Sequence, residues 1–408
     1  MTRPNLELAD VLDALGPGFL ESEGESLSCE QREAIRDIVQ CRSAALGGHV
    51  EKCYQCGHQQ IAYNSCRNRH CPKCQAAARA EWMQERAAEL LPVEYFHIVF
   101  TIPDQLGPLA LQNKRVIYGL LFRAASHTLV EIAANNKHLG AVIGFLAVLH
   151  TWGQALQHHP HLHCVIPGGG LSTDHSRWVS CRKGFFLPVK VLSRLFRGKF
   201  VDFLKDANQQ GRLVFHGRLE YLARTEQFSR LLRDVSRIEW VVYAKRPFGG
   251  PEQVLKYLAR YTHRVAISNQ RLVALANGQV TLKWKDYSDG NRVKEMTLSV
   301  REFTRRFLLH ILPRGFVRIR HYGFLANRCR RERLECCRNL LHQGTNQVSL
   351  QGASNEAENQ RDTEDQSRRC PACGQGRLII VERFQPQGLF HPVVFRDGFV
   401  LACSSDSS

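Results

Sequence analysis

In QHHPHLHCVIPGGG (157–170), His159, His161 and His163 alternate with other residues. Successive side chains of a β-strand point to opposite faces, so His161 and His163 share one face while Leu162 and Cys164 turn to the other. Two imidazoles placed this way can share a divalent ion, although such a pair is more often made of hydrogen-bonded core or surface residues. About a hundred residues on, VLKYLARYTHR carries Tyr257 and Tyr261 four apart, a spacing that a helix puts on one face. Taken alone, that pair is ordinary packing. Beside a metal-holding histidine pair and a phosphate-seeking surface it has a chemistry. A tyrosine oxygen can attack a DNA phosphodiester, leaving a phosphotyrosine and a free 3′ hydroxyl, while a metal ion polarises the phosphate and offsets the charge of the transition state. Two tyrosines on one face could take two strands in turn.

A second constellation is CYQCGHQQIAYNSCRNRHCPKC. Cys53-x2-Cys56 and Cys71-x2-Cys74 are separated by 14 residues, close to the spacing of a zinc ribbon in which each knuckle offers two thiolates to one tetrahedral ion. The spacing predicts a single zinc on Cys53, Cys56, Cys71 and Cys74, with Cys66 or His70 as substitute ligands. All four positions are filled by protein and no general base stands nearby, so the zinc would be structural. Arg67, Arg69 and Lys73 make the knuckles basic, which suits DNA. Near the C-terminus, CPACG offers only Cys370 and Cys373, half a site that Cys336, Cys337, His342 or Cys403 could complete.

The whole chain is consistent with such partners. Its 408 residues carry 55 Lys and Arg against 38 Asp and Glu, for a net charge of +17. The basic residues interleave with aromatics through the body, as in YLARYTHR, REFTRRF and RGFVRIRHYGF. Arrayed positive charge of this kind neutralises phosphates. The hydrophobic fraction, 44%, is that of a globular protein, and no uninterrupted apolar run is long enough to cross a bilayer. The start, MTRPNLELADVLDALG, has acids where a signal peptide has its apolar core, so no membrane and a cytoplasmic location are expected. Fifteen cysteines without a secretory signal argue for zinc rather than disulfides.

The elements that must position these groups are legible in part. Strands are expected over 93–102 and 141–150, with HLHCVIPGGG as neighbour to the second, and again at EWVVYAKRP. Helices are expected over 76–91 and about 106–138, and 184–240 reads as mostly helical with a short strand at RLVFHG. Residues 271–300 read as a small β-meander with turns at ANGQ and SDGN, followed by helical, basic sequence to about 342. Alternating strands and helices favour an α/β or α+β core.

These motifs, in this order, resemble the two-tyrosine HUH transposases of insertion sequence family ninety-one. The resemblance covers about 50–342 through CYQCG…YNSCRNRHCPKCQ, FTIP, HPHLHCVIPGGGLS, YLARYTHRVAISN and VRIRHYGFLANRCR. It implies an α+β fold: an HUH-endonuclease-like core with a central antiparallel sheet flanked by helices, plus a small N-terminal zinc-binding domain. It implies metal-dependent nicking and rejoining of single-stranded DNA at element ends and target, with Mg²⁺ or Mn²⁺ and a phosphotyrosine intermediate, driving rolling-circle transposition. His161 and His163 become ligands of the catalytic ion and Tyr257 and Tyr261 the nucleophiles. A third ligand is common in such enzymes; Gln154 is the first choice and His159 the second. Arg260, His263 and Arg264, on or after the tyrosine segment, become candidates for phosphate contact. The expected organisation is a lead-in and zinc domain over 1–92, a catalytic domain over 93–342, a disordered linker over 343–369 and a tail over 370–408.

Three other readings compete. The alternating histidines followed by CVI also resemble histidine-triad nucleotide hydrolases and transferases, which need neither the cysteines nor the tyrosines. A zinc-dependent DNA-binding protein without catalysis would use the cysteines and the charge alone. A plasmid or phage replication initiator would share the nicking chemistry.

Overall fold

The computed structural model describes residues 6–16, 18–23, 26–87, 89–245, 265–343 and 369–386. Two compact units result: Met1–Val39 with Arg67–Gln351, and Gln40–Cys66 with Gly352–Ser408. This division departs from the expected N-terminal zinc domain through residue 92 and separate tail. Its cause is strand pairing. In the smaller unit β1 (Gly48–Cys53) pairs antiparallel with β2 (Gln59–Tyr63) on one side and with β13 (Leu378–Phe384) on the other. Of the expected linker, 344–368 lies outside the described residues.

The larger unit is α+β. Its main sheet is antiparallel throughout, in the order β12-β4-β5-β3-β8, with β3 Tyr95–Thr101, β4 Gly144–Trp152, β5 His158–Pro167, β8 Val242–Lys245 and β12 Ile319–Gly323. Alternation sends Ile98, Phe100, Phe145, Leu149, Leu162 and Ile166 to one face. There they pack against Leu121 and Phe122 of the helix Lys114–Ala134 and Phe196 and Phe200 of the helix Val189–Gln209. Each such side chain contributes about 1.5–3 kcal/mol of burial. Helix Lys114–Ala134 is long and apolar enough to cross a bilayer, but it lies largely buried in this core.

Two small sheets complete the unit: a ribbon of β6 (Gly169–Leu171) and β7 (Trp178–Ser180), and the expected meander, β9 (Leu272–Ala276), β10 (Gln279–Asp286) and β11 (Arg292–Ser299). Ala276 pairs with Gln279 across Asn277 and Gly278, both at positive φ, as a tight two-residue hairpin requires. Two expectations fail. RLVFHG forms no strand, because the Asn113 amide takes both backbone groups of Val214, donating to its carbonyl (2.9 Å) and accepting from its N–H (2.8 Å). VRIRHYG, expected within a helical stretch, instead supplies β12. There Tyr322 stacks on Phe145 (4.9 Å) and the Arg320 guanidinium lies over Phe122.

β12 ends on Gly323, at φ +60, where a Cβ would sit 1.7 Å from the Ile143 carbonyl oxygen. Gly278 has a similar φ, +69, and open space around it. Gly323→Ala is therefore expected to cost roughly 3 kcal/mol, from left-handed strain plus a backbone clash, and Gly278→Ala only about 1 kcal/mol. Urea unfolding of both variants checks this; equal losses would show that β12 shifts freely.

Candidate active site

The face of the main sheet opposite the helical core carries the histidines. β4 and β5 pair so that His150 stands directly across from His161, with His163 two residues further along the same face. One ring nitrogen from each of His150, His161 and His163 lies within 4.8 Å of the other two. Below them Leu146, Val148 and Val165 form a small apolar patch with Tyr95, so one end of this face is dry and the other polar.

Neighbours orient each ring. His161 Nδ1 donates to the His159 carbonyl at 2.7 Å. A carbonyl only accepts, so the Nδ1 proton is fixed and the lone pair falls on Nε2, the tautomer a metal ligand needs. His163 Nδ1 meets Nε2 of His97 on β3 at 2.8 Å, and the two rings stack at 5.0 Å. Burial holds His97 far below the usual histidine range, at about 3, with Lys245 and His161 adding to the effect, so its imidazole is neutral. His150 stacks on Trp152 with centroids 4.6 Å apart. Behind them buried His310 donates from Nε2 to the Leu156 carbonyl (3.1 Å) and meets Thr151 through Nδ1 (3.2 Å). These contacts fasten the turn that joins β4 to β5.

The expected pair is thus brought together with a third histidine that sequence reasoning missed. Gln154, the first choice for that place, lies in the turn. Its amide donates to the Tyr287 hydroxyl at 3.1 Å. His159 stands outside the cluster, 3.7 Å from the Asp104 carboxylate. Tyr257, Arg260, Tyr261, His263 and Arg264 lie outside the described residues.

The cysteines are sorted differently from the expected single set. Cys53 and Cys56 gather with Cys370 and Cys373, their sulfurs within 4.8 Å of one another. Antiparallel pairing of β1 with β13 is what delivers the tail knuckle there. Backbone N–H groups bonded to sulfur lower the Cys53 thiol, and those of Gly376 and Gln375 pull Cys373 down to about 6. Cys71 and Cys74 belong to the larger unit, buried at the start of the helix Pro72–Ala87, while Cys66 ends the first segment of the smaller one. Cys336 and Cys337 lie on the helix Arg330–Gln343, packed near Phe324, and Cys403 is outside the described residues.

Three expected DNA or ligand residues have partners within the fold. Arg69 donates to the carbonyls of Phe316 (2.5 Å) and Pro313 (2.7 Å). His70 Nε2 accepts from the Leu312 N–H at 3.3 Å, and burial holds its pKa well below normal. Lys73 pairs with Glu7 at 2.8 Å, mostly out of solvent. Arg67 remains exposed. Knuckle spacing drew attention to these side chains, but their partners come from segments remote in sequence.

Comparison with known proteins gives consistent results. A family model described as "Transposase zinc-binding domain" matches residues 11–102, and one described as "Putative transposase" matches 144–333. "Putative transposase y4qJ" of Sinorhizobium fredii is 54% identical over 386 residues, 94% of this chain and 97% of that one. "Transposase for insertion sequence element IS801" of Pseudomonas savastanoi pv. phaseolicola is 29% identical over 72% of this chain and 70% of its own length. A solved structure, "Conjugative Relaxase TrwC in complex with OriT Dna", covers 41% of this chain and 71% of that one, at 14% identity and a TM-score of 0.24. With a sheet-borne histidine cluster, a cysteine-built small unit and a relative matched over nearly its whole length, the chain belongs to the transposases of insertion sequence family ninety-one.

Proposed function

We propose that the chain nicks and rejoins single-stranded DNA at the ends of a mobile element by tyrosine transesterification. The supporting observation is the convergence of His150, His161 and His163 within 4.8 Å on the face of the sheet opposite the helical core. These three imidazoles fit a divalent ion. A neutral nitrogen set leaves the ion's charge undiminished, and it suits Mn²⁺ better than the harder Mg²⁺. When bound, the ion polarises the scissile phosphate and offsets the charge that builds on its oxygens.

The chain's own residues do the rest. The phenolic oxygen of Tyr257 or Tyr261 attacks phosphorus, the 3′ oxygen departs, and the 5′ phosphate stays on the tyrosine. A later attack by a 3′ hydroxyl releases the tyrosine and joins the strand. Arg260, His263 and Arg264 stand beside the tyrosines in sequence and would hold flanking phosphates, and the charge of +17 favours DNA over the whole surface. Such work on DNA belongs in the cytoplasm. Membership of a transposase family favours DNA-strand chemistry over the histidine-triad alternative.

Incubation with labelled single-stranded oligonucleotides spanning element ends, in Mn²⁺ or EDTA, tests the reading. The expected result is cleavage with a denaturant-resistant protein–DNA adduct in Mn²⁺ only. Cleavage in EDTA, or cleavage with no adduct, overturns it. His97 acts in this reading as a positioning residue, accepting the His163 Nδ1 proton so that Nε2 faces the ion. Its replacement in His97→Phe is expected to weaken Mn²⁺ binding about 10- to 100-fold, the usual cost of losing an outer-shell partner. Titration calorimetry checks this, and unchanged affinity would make His97 a packing residue only.

A further inference from the structure

We propose that Cys53, Cys56, Cys370 and Cys373 bind one zinc ion, making the C-terminal knuckle an integral ligand donor of the N-terminal zinc-binding module. The matched zinc-binding domain spans residues 11–102 and does not reach the tail. Geometry carries the assignment. Cys53 Sγ lies 3.8 Å from Cys373 Sγ, and Cys56 Sγ lies 3.5 Å from Cys370 Sγ. A tetrahedron with zinc–sulfur distances of about 2.3 Å has edges of about 3.8 Å. A disulfide would bring the sulfurs to about 2.05 Å.

The two knuckles are built alike. In CYQCG the Gly57 N–H donates to the Cys53 carbonyl at 3.1 Å, and in CPACG the Gly374 N–H donates to the Cys370 carbonyl at 2.8 Å. Both glycines have positive φ, 75° and 68°. Each knuckle also aims a backbone N–H at sulfur: Gln55 at Cys53 (3.4 Å) and Gly376 at Cys373 (3.3 Å). Such donors favour thiolate over thiol, the form that zinc requires. A second observation is independent of the sulfurs. Ile61, Ile379, Ile380 and Val381 of the small sheet are exposed. Among its described residues the unit buries little apolar surface, and a metal held by residues more than 300 apart in sequence supplies a clamp of another kind. Binding releases the thiol protons, so affinity falls as pH falls.

The test is zinc content of the full chain, purified in reductant and measured by mass spectrometry of the dissolved metal. The assignment does not depend on DNA cleavage, so its failure leaves the cleavage reading standing. Cys53→Ser/Cys56→Ser, Cys370→Ser/Cys373→Ser and the quadruple variant are each expected to hold one zinc fewer than wild type. Equal content in the tail variant and wild type, or losses that add in the quadruple variant, would overturn the proposal. Should the serine variants fail to fold, Cys373→His serves in their place. With Co²⁺ it is expected to keep tetrahedral binding while losing part of the thiolate charge-transfer absorption. A spectrum identical to wild type would show that Cys373 is no ligand.

Discussion

Replacing both Tyr257 and Tyr261 by Phe is expected to lower cleavage of element ends by on the order of 10⁴-fold or more, the scale on which enzymes lose rate when a covalent nucleophile is removed. The aromatic rings are kept, so packing and thermal stability should be unchanged, and DNA binding should persist because charge supplies most of it. The adduct disappears with the hydroxyls. Each single variant separates the two roles: one that still nicks but no longer completes rejoining has lost the tyrosine that takes the second strand. Cleavage that survives in the double variant would mean that water or a histidine attacks, and the transesterification reading would fall.

His150→Ala is expected to weaken Mn²⁺ binding by more than about 100-fold, since loss of an outer-shell partner alone costs about 10–100-fold. Gln154→Ala and His159→Ala should change it by less than about threefold, the usual spread for substitutions outside a metal site. The structural reason is register. His150 faces His161 across β4 and β5, whereas the Gln154 amide is engaged by Tyr287. Cleavage by His150→Ala should recover partly at high Mn²⁺, because the other two imidazoles remain. If Gln154→Ala lost affinity instead, the turn would have to rearrange on metal binding and the register-based set would be wrong.

Local pattern revealed much of this site. Strands β3, β4 and β5 and the meander follow from β-branched and aromatic content with turn residues between, and alternation alone put His161 and His163 on one face. His150 was within reach of the same reasoning: it closes the stretch 141–150, and an antiparallel hairpin into HLHCVIPGGG brings that end beside His161. What defeated sequence reasoning was long-range pairing. Nothing in CPACG says that its partner is CYQCG rather than Cys336 or Cys337, because strand register across more than 300 residues leaves no local mark. Arg69 and Lys73 read as a DNA-facing surface from charge alone, whereas their partners within the fold, the Phe316 and Pro313 carbonyls and Glu7, leave no local mark in the sequence. β12 is misread because Arg320 and His321 make IRHYG look like more of the basic stretch around it.

The sheet of the smaller unit has a temporal side. Strands β1 and β2 end at Tyr63, while their third strand begins at Leu378. At about 5–20 residues per second, a ribosome needs roughly 15–60 s to make the intervening chain. Throughout that interval the hairpin carries an open strand edge and the Cys53–Cys56 knuckle without its counterpart, the condition in which nascent chains engage wrong partners. A copy of the element interrupted by a late stop codon would leave every product permanently in that state, with the histidine strands complete and the N-terminal sheet never closed.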